Sequence, residues 1–406
     1  MPVKVAVLNA FGRGDSLAVG LAKNQFDVHH FDFTSQLGNW SLEDIQGPFG
    51  YLRHDPMDQL LIEQFHYSDP IHYLPRGFCF WGSKGPMEAK NPLFLEWMGK
   101  TTEKSFIGRE ELRDNYPAMW PLLLLTTWHS VYEWNWKETS FPNNFKKWAA
   151  EFGFFHPTRK GWDRRIDWFI ESGVTDYRSF QLLDFATEGK NILSLELEGP
   201  ERGLMGFDEV IWCLSVEQAK YLNSDLATKL FSKGTPEPDS CWIRYRIEME
   251  ESEELRYRPR HMLMVRDEFD HWSQGNFLIV QRTPLQGFWD VWCKVPQHQR
   301  FSKNYITEIQ QQIMEHIHRK LPSTKVLTVI LPPESQYSFQ ELGPSPYGTF
   351  KNANNIKSPW SNLHFHGPES RYSFGLNDLH EQNGLLIKKL VSRREERIRK
   401  ERPTKQ

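Results

Sequence analysis

The sequence predicts an α/β fold in which a discontinuous parallel-sheet domain is interrupted by a second, mixed α+β domain. A strand–helix–strand pattern occupies residues 3–32, and strand and helix patterns return between residues 173 and 222. A third strand–helix pair lies near the end of the chain. Because alternating strands and helices favour a parallel sheet, we expect these separated pieces to form one domain and the intervening segments to form the other.

The predicted domain bounds follow the changes in pattern along the chain. They are 1–52, 173–238 and 340–391 for the parallel-sheet domain, 53–172 and 239–339 for the second domain, and 392–406 for a charged tail. The first insertion is rich in Trp, Phe and Pro, and the second holds strand patterns followed by a helix. The tail reads SRREERIRKERPTKQ, which indicates a fraying helix end or disorder.

Composition narrows the classes of function. The chain has 406 residues and a net charge of −3, so no global basic field favours nucleic acid. Four widely spaced cysteines, in apolar or aromatic settings, are typical of reduced core thiols in a cytoplasmic protein. There is no secretory signal pattern, and no apolar run approaches the ~20 residues of a membrane-spanning helix. The 16 tryptophans favour a large apolar pocket or interface.

The N-terminal unit is typical of a dinucleotide-binding βαβ motif. Val3 to Leu8 is an apolar strand run, Ser16 to Asn24 predicts a helix, and Asp27 to Asp32 predicts a second strand that ends in a carboxylate. The pattern G-x-G-x-x-G falls on Asn9, Phe11 and Gly14, so only the third glycine is kept. Gly12, one residue after Phe11, partly replaces the second.

Two interpretations of this turn remain open. In the first, backbone N–H groups at the helix N-terminus hold a pyrophosphate, and Asp32 accepts hydrogen bonds from ribose hydroxyls. In the second, the turn keeps the fold without the ligand, because Phe11 puts a large side chain where phosphate oxygens must approach. Asp32 is then an ordinary acid at a strand end.

The order of motifs resembles the FAD-dependent superfamily of protoporphyrinogen oxidases, amine oxidases and phytoene desaturases. Besides the N-terminal unit, GFDEVIWCLSVEQAKYL (206–222) is similar to the family's strand before a helix. NLHFHGPESRYSFGLNDLHEQNGLLIKKL (362–390) is similar to its last flavin segment, with GLND closest to the protoporphyrinogen oxidase branch. PSPYGTF (344–350) lies where the family has a P-x-Y turn.

The resemblance implies a Rossmann-type FAD-binding domain and hydride transfer from an apolar or amine-type small molecule to the flavin. The residues that it places at the cofactor are Phe11, Gly12, Gly14, Asp32, Gly38, Gly367, Glu369, Gly375, Leu376 and Asn377. Those expected to line the substrate pocket are Phe80, Trp81, Trp289 and Trp292. His364 and His366 alternate in a spacing that suits a metal, but no companion ligands lie near them in the sequence, so we expect a structural role.

The alternative function is a non-catalytic protein of the same fold that has lost FAD and acts in binding or escort. Asn9, Phe11 and the single Gly38, where relatives have paired glycines, favour this alternative. Asp32 and the GLND sequence favour the enzyme. The basic tail could contact an anionic membrane surface, and the sequence gives no indication of oligomeric state.

Overall fold

The computed structural model describes the central parts of both predicted domains. The described residues are 2–38, 51–52, 72–73, 78–82, 85–88, 153–155, 159–199, 203–233, 237–250, 252, 261–265, 277–283, 287–300, 302–321, 325–330, 347–351, 356–367, 369 and 376–401. Most of the Trp-rich first insertion, including the aromatic run 120–136, lies outside them.

The described elements are nineteen strands and six α-helices. The strands are β1 (Lys4–Asn9), β2 (Asp27–Asp32), β3 (Tyr51–Leu52), β4 (His72–Tyr73), β5 (Phe78–Gly82), β6 (Gly85–Glu88), β7 (Gly153–Phe155), β8 (Thr175–Tyr177), β9 (Gln181–Glu188), β10 (Asn191–Glu198), β11 (Gly203–Gly206), β12 (Glu209–Trp212), β13 (Glu237–Met249), β14 (His261–Val265), β15 (Phe277–Arg282), β16 (Phe288–Pro296), β17 (Val326–Ile330), β18 (Tyr347–Lys351) and β19 (Leu363–Phe365). The helices are α1 (Asp15–Lys23), α2 (Arg159–Ser172), α3 (Val216–Leu222), α4 (Ser224–Leu230), α5 (Lys303–Lys320) and α6 (Leu376–Glu401).

A five-stranded parallel sheet joins the distant pieces of the chain. Its order is β19-β12-β1-β2-β8, and every neighbouring pair is parallel. Strand β1 lies at the centre and is buried from Val5 onward, which explains its continuous apolar sequence. An antiparallel sheet of β9, β10 and β11 packs against the same apolar cluster. The fold is therefore α/β with a Rossmann-like sheet, as the sequence predicts.

The second insertion contributes most of a larger sheet, in the order β17-β13-β16-β15-β14-β5-β6, with β18 also paired to β13. Alternate residues of β13 and β16 point to opposite faces. One face carries Ile243, Tyr245 and Ile247 and packs with the apolar stripe of α5. The other carries polar side chains that are nevertheless buried, among them Arg244 and Asp290.

Helix α6 is longer than the sequence predicts. The sequence predicts a fraying helix end or disorder for the tail 392–406, yet the helix continues to Glu401 and includes most of that tail. Arg393 and Arg397 extend from this last part to the carboxylate of Glu209 at the start of β12, and Arg394 reaches the carbonyl of Asn24. These contacts hold the tail against the domain as far as Arg397. The expectation of a frayed or disordered end is therefore wrong for this part of the tail.

Within the described residues, none of the helices is both long enough and apolar enough to cross a membrane.

Candidate functional site

The turn between β1 and α1 is closed by the side chain of Asn9. Its Oδ1 accepts the N–H of Gly14 at 2.7 Å, and its Nδ2 donates to Asp15 Oδ1 at 3.0 Å. Gly14 keeps the packing function of the third glycine, because a Cβ there would lie 2.9 Å from Val7 Cγ1. The N–H of Gly14, the residue just before α1, is therefore engaged by the chain itself, at the end of the helix where a dinucleotide-binding protein receives a pyrophosphate.

Phe11 and Gly12 form the top of this turn with positive φ angles of 57° and 71°. The Phe11 side chain is only 1% exposed and packs into the apolar core. Its backbone N–H donates to Thr34 Oγ1 at 2.7 Å. This strained backbone therefore places an aromatic ring in the core and a protein hydroxyl on the N–H group that the sequence assigns to a phosphate.

Asp32 lies at the carboxyl end of β2, as predicted, and its carboxylate is surrounded by donors of this chain. Oδ1 accepts the N–H and the hydroxyl of Thr34, at 3.0 and 2.5 Å. Oδ2 accepts Nη2 of Arg165, on α2, at 2.7 Å. Both oxygens are thus hydrogen-bonded, and the residue is 6% exposed.

His30 forms the centre of a buried ionic cluster beneath the turn. Its Nδ1 lies 2.8 Å from Asp176 Oδ1 on β8, and its Nε2 lies 3.2 Å from Asp15 Oδ1 on α1. Burial by itself would lower the pKa of His30, but the hydrogen bonds with these two carboxylates raise it to about 9. The imidazolium therefore joins the edge strand, the central strands and the first helix.

The segment after β19 contributes two of the predicted cofactor residues. Gly367 passes so close to the preceding strand–helix connection that a Cβ would lie 2.4 Å from the carbonyl oxygen of Leu214. Glu369 is buried, and its Oε1 accepts the N–H of Val216 at the start of α3, at 2.7 Å. Burial raises the pKa of Glu369 to about 7, although that hydrogen bond and the charge of Arg13, in the β1–α1 turn, act to lower it.

The remaining predicted cofactor residues are placed less completely. Gly38 ends the short 3₁₀ turn Thr34–Leu37 with a φ of 135°. Gly375 lies outside the described residues, and Leu376 and Asn377 form the first turn of α6, where only the backbone is described. The structure thus brings together Phe11, Gly12, Gly14 and Asp32 at one sheet edge, and their role in holding a cofactor stays a prediction.

The predicted pocket residues do not share one wall. Trp289 and Trp292 lie on β16 at positions of opposite parity; Trp289 packs in the core of the larger sheet, and Trp292 packs in the apolar cluster of the five-stranded sheet. A single wall can therefore include one of them. Trp292 lies beside the guanidinium of Arg244, 5.8 Å from its ring centroid. Phe80 and Trp81 belong to β5, which is separated from β16 by two strands and of which only the backbone is described.

The two histidines of β19 and its end have structural partners. His364 Nε2 lies 2.9 Å from Glu209 Oε2, and His366 Nε2 lies 2.6 Å from Asn383 Oδ1. Across the part of the chain that the structure describes, no group of three or more His, Cys, Asp or Glu side chains is arranged so that it could hold a metal ion.

Sequence reasoning did not identify Arg165 or Thr34 as residues of this edge. Arg165 falls within the segment 53–172 that the pattern assigns to the second domain, so nothing local connects it with Asp32. Thr34 gave a usable signal, since Asp followed two residues later by Thr is typical of a side-chain-capped turn. Asn9 was treated as a lost glycine, whereas its side chain bridges the N–H of Gly14 and the carboxylate of Asp15.

Comparison with known proteins supports the fold. No family model matches the sequence, and no curated protein matches it. A solved oxidoreductase from Methanosarcina mazei is 13% identical, with a TM-score of 0.60 over 95% of this chain and 100% of that one. A solved protein from Pyrococcus furiosus is 11% identical, with a TM-score of 0.54 over 91% of this chain and 92% of that one. At these identities the likeness shows a shared fold, a Rossmann-like α/β arrangement around a parallel sheet.

The residues at this edge do not fit the adenosine diphosphate half of FAD. Such a site needs free N–H groups at the helix N-terminus for pyrophosphate and a free carboxylate for ribose. Here Asn9 takes the N–H of Gly14, Thr34 takes that of Phe11, and Arg165 with Thr34 takes the carboxylate of Asp32. The Phe11 ring was expected to obstruct the approach of phosphate oxygens, but it packs into the apolar core, and it is the backbone N–H of Phe11 that is engaged by the chain.

Proposed function

We propose that this chain is a flavin-free member of the FAD-dependent oxidoreductase fold and acts as a binding or escort protein. The observation that carries the proposal is the ion pair between Asp32 and Arg165. Arg165 Nη2 lies 2.7 Å from Asp32 Oδ2, and both side chains are almost wholly buried. The ribose of a dinucleotide would have to displace a charged hydrogen bond that the chain supplies itself. The engaged N–H groups of Phe11 and Gly14 support the same proposal.

The ligand would then be enclosed against the larger sheet, where the polar face of β13, β15 and β16 carries four buried side chains, Arg244, Gln281, Asp290 and Trp292. The Trp292 ring and the guanidinium of Arg244 combine a flat apolar group with a charge. Such a pair suits a small molecule with both a planar and a polar part.

The test is the flavin content of the purified full-length chain. The protein is denatured, the supernatant is examined for flavin absorbance, and the folded protein is titrated with FAD while its thermal unfolding is followed. We expect no released flavin and no rise of the unfolding midpoint, because a ligand raises stability only if the folded state binds it. A flavoprotein handled in parallel shows that the extraction works.

A second candidate function is an FAD-dependent oxidoreductase that oxidises an apolar or amine-type small molecule. The likeness of the whole chain to a solved oxidoreductase favours it. Stoichiometric flavin in the extract, or a midpoint that rises with added FAD, would replace the first proposal with this one.

A further inference from the structure

We propose that side chains of this chain occupy the positions of a dinucleotide, so that an internal network takes over the contacts that a cofactor makes in this fold. This inference rests on the proposed absence of flavin. It goes further, because it assigns the closure of the site to particular residues and predicts that removing them reopens it.

The first replacement is at the ribose position. A carboxylate at the end of the second strand of a βαβ unit normally accepts hydrogen bonds from ribose hydroxyls. Arg165 Nη2 donates to Asp32 Oδ2 instead, from a helix that packs directly beside α1. Trp168 and Phe169, on the same helix, are buried in the core and hold this part of α2 against the sheet.

The second replacement is at the pyrophosphate position. Phosphate oxygens would accept N–H groups of the turn and of the helix N-terminus. The hydroxyl oxygen of Thr34 accepts the N–H of Phe11, and the amide oxygen of Asn9 accepts that of Gly14. Oxygen acceptors of the protein are therefore already present at both of these N–H groups.

The third replacement is an internal carboxylate between the turn and the next helix. Glu369 accepts the N–H of Val216 at the start of α3 and lies within the electrostatic influence of Arg13 of the β1–α1 turn. A carboxyl group of the chain thus accepts this N–H in a position that is almost wholly buried. Together the three replacements satisfy donors and acceptors that an empty dinucleotide site would leave exposed.

The experiment reopens the site and supplies adenosine diphosphate, the part of FAD that a βαβ turn recognises. The variant Phe11→Gly/Arg165→Ala removes the ring from the turn and the guanidinium from Asp32. The matched control is Arg178→Ala, which removes an exposed arginine that pairs with Asp176 in the same region. Thermal unfolding of the full chain is followed with and without adenosine diphosphate, and circular dichroism checks that each variant is folded.

We expect adenosine diphosphate to leave the wild type and Arg178→Ala unchanged and to raise the unfolding midpoint of the double variant. At a ligand concentration 100 times the dissociation constant, the ratio of folded to unfolded protein rises about 100-fold. If the double variant does not fold, Arg165→Ala alone is tested in the same way. A folded variant that is indifferent to adenosine diphosphate overturns this inference, whereas FAD bound to the wild type overturns the proposed function.

Discussion

The guanidinium of Arg165 and the carboxylate of Asp32 are joined across 133 residues of sequence by a 2.7 Å hydrogen bond in the protein interior. Both side chains are more than nine-tenths buried, so the ion pair replaces most of the contact with water that each charge would otherwise make. The pair therefore closes the edge of the sheet and also makes the fold sensitive to the loss of either partner.

Breaking this ion pair should be costly. We expect Arg165→Gln to lower the free energy of unfolding by about 3 kcal/mol, because it leaves a buried carboxylate without its cation. Urea denaturation measures the change. Lys229→Gln, which breaks an exposed pair with Asp184, should cost less than about 1 kcal/mol. Equal losses for the two variants would contradict a special role of the buried pair.

The charge of His30 should make stability fall at alkaline pH. Its folded pKa of about 9 lies above the ordinary value of 6.5, so its contribution is complete below pH 6.5 and is lost as pH rises to 9. Denaturation at several pH values should show a loss on the order of 3 kcal/mol over that interval. His30→Gln should remove this dependence. His29→Gln, next to it on the opposite face of β2, should retain it.

Glu369 should also make the stability of the folded chain depend on pH, in a more acidic range than His30 does. Its pKa is raised from 4.5 to about 7 in the folded chain, so its contribution to stability is present below pH 4.5 and is lost as pH rises through 7. Glu369→Gln keeps an oxygen to accept the N–H of Val216 and needs no buried charge. We expect this variant to be as stable as the wild type or more stable at pH 8. Glu188→Gln, on an exposed hairpin, should leave the pH profile unchanged.

Two glycines should respond in opposite directions to the same substitution. Gly367→Ala drives a Cβ against the carbonyl oxygen of Leu214 and should destabilise by roughly 1–3 kcal/mol. Gly384→Ala, inside α6 with no atom within 4 Å of the added Cβ, should stabilise by about 0.5–1 kcal/mol. Thermal unfolding of both variants tests the backbone approach at Gly367. Stabilisation by Gly367→Ala would show that the close contact does not exist.

The local sequence pattern predicted the elements of the N-terminal unit correctly. The apolar run of β1, the helix pattern of α1 and the strand Asp27–Asp32 mark their elements in the sequence, and their predicted bounds agree with the structure within a residue or two. The end of α6 could not be predicted in this way, because Arg393 and Arg397 are ordered by Glu209, a residue far away in the chain. Tertiary contacts override a charge pattern that is typical of a frayed end.

For the candidate site, the sequence predicted which edge of the five-stranded sheet carries the site residues. It did not predict that their polar groups are already hydrogen-bonded within the chain. Gly14 lies in the turn before α1 and Asp32 at the end of β2, where the strand–helix–strand pattern predicts a turn and a strand end, since backbone geometry is encoded locally; that these residues and Gly367 hold a cofactor stays a prediction. Whether their polar groups are free depends on side chains from other elements. Arg165 comes from α2 and Glu369 closes against α3, and no spacing rule connects either with the turn that it completes.

The shape of the five-stranded sheet also governs how the chain can be made. Strand β19 completes the sheet, and Asn383 of α6 donates a hydrogen bond to Ser16 of α1, 367 residues earlier in the chain. During synthesis the N-terminal unit therefore leaves the ribosome long before the helix that covers it exists. The apolar face of this unit stays uncovered in the meantime, so newly made chains should depend on chaperones until α6 has been synthesised.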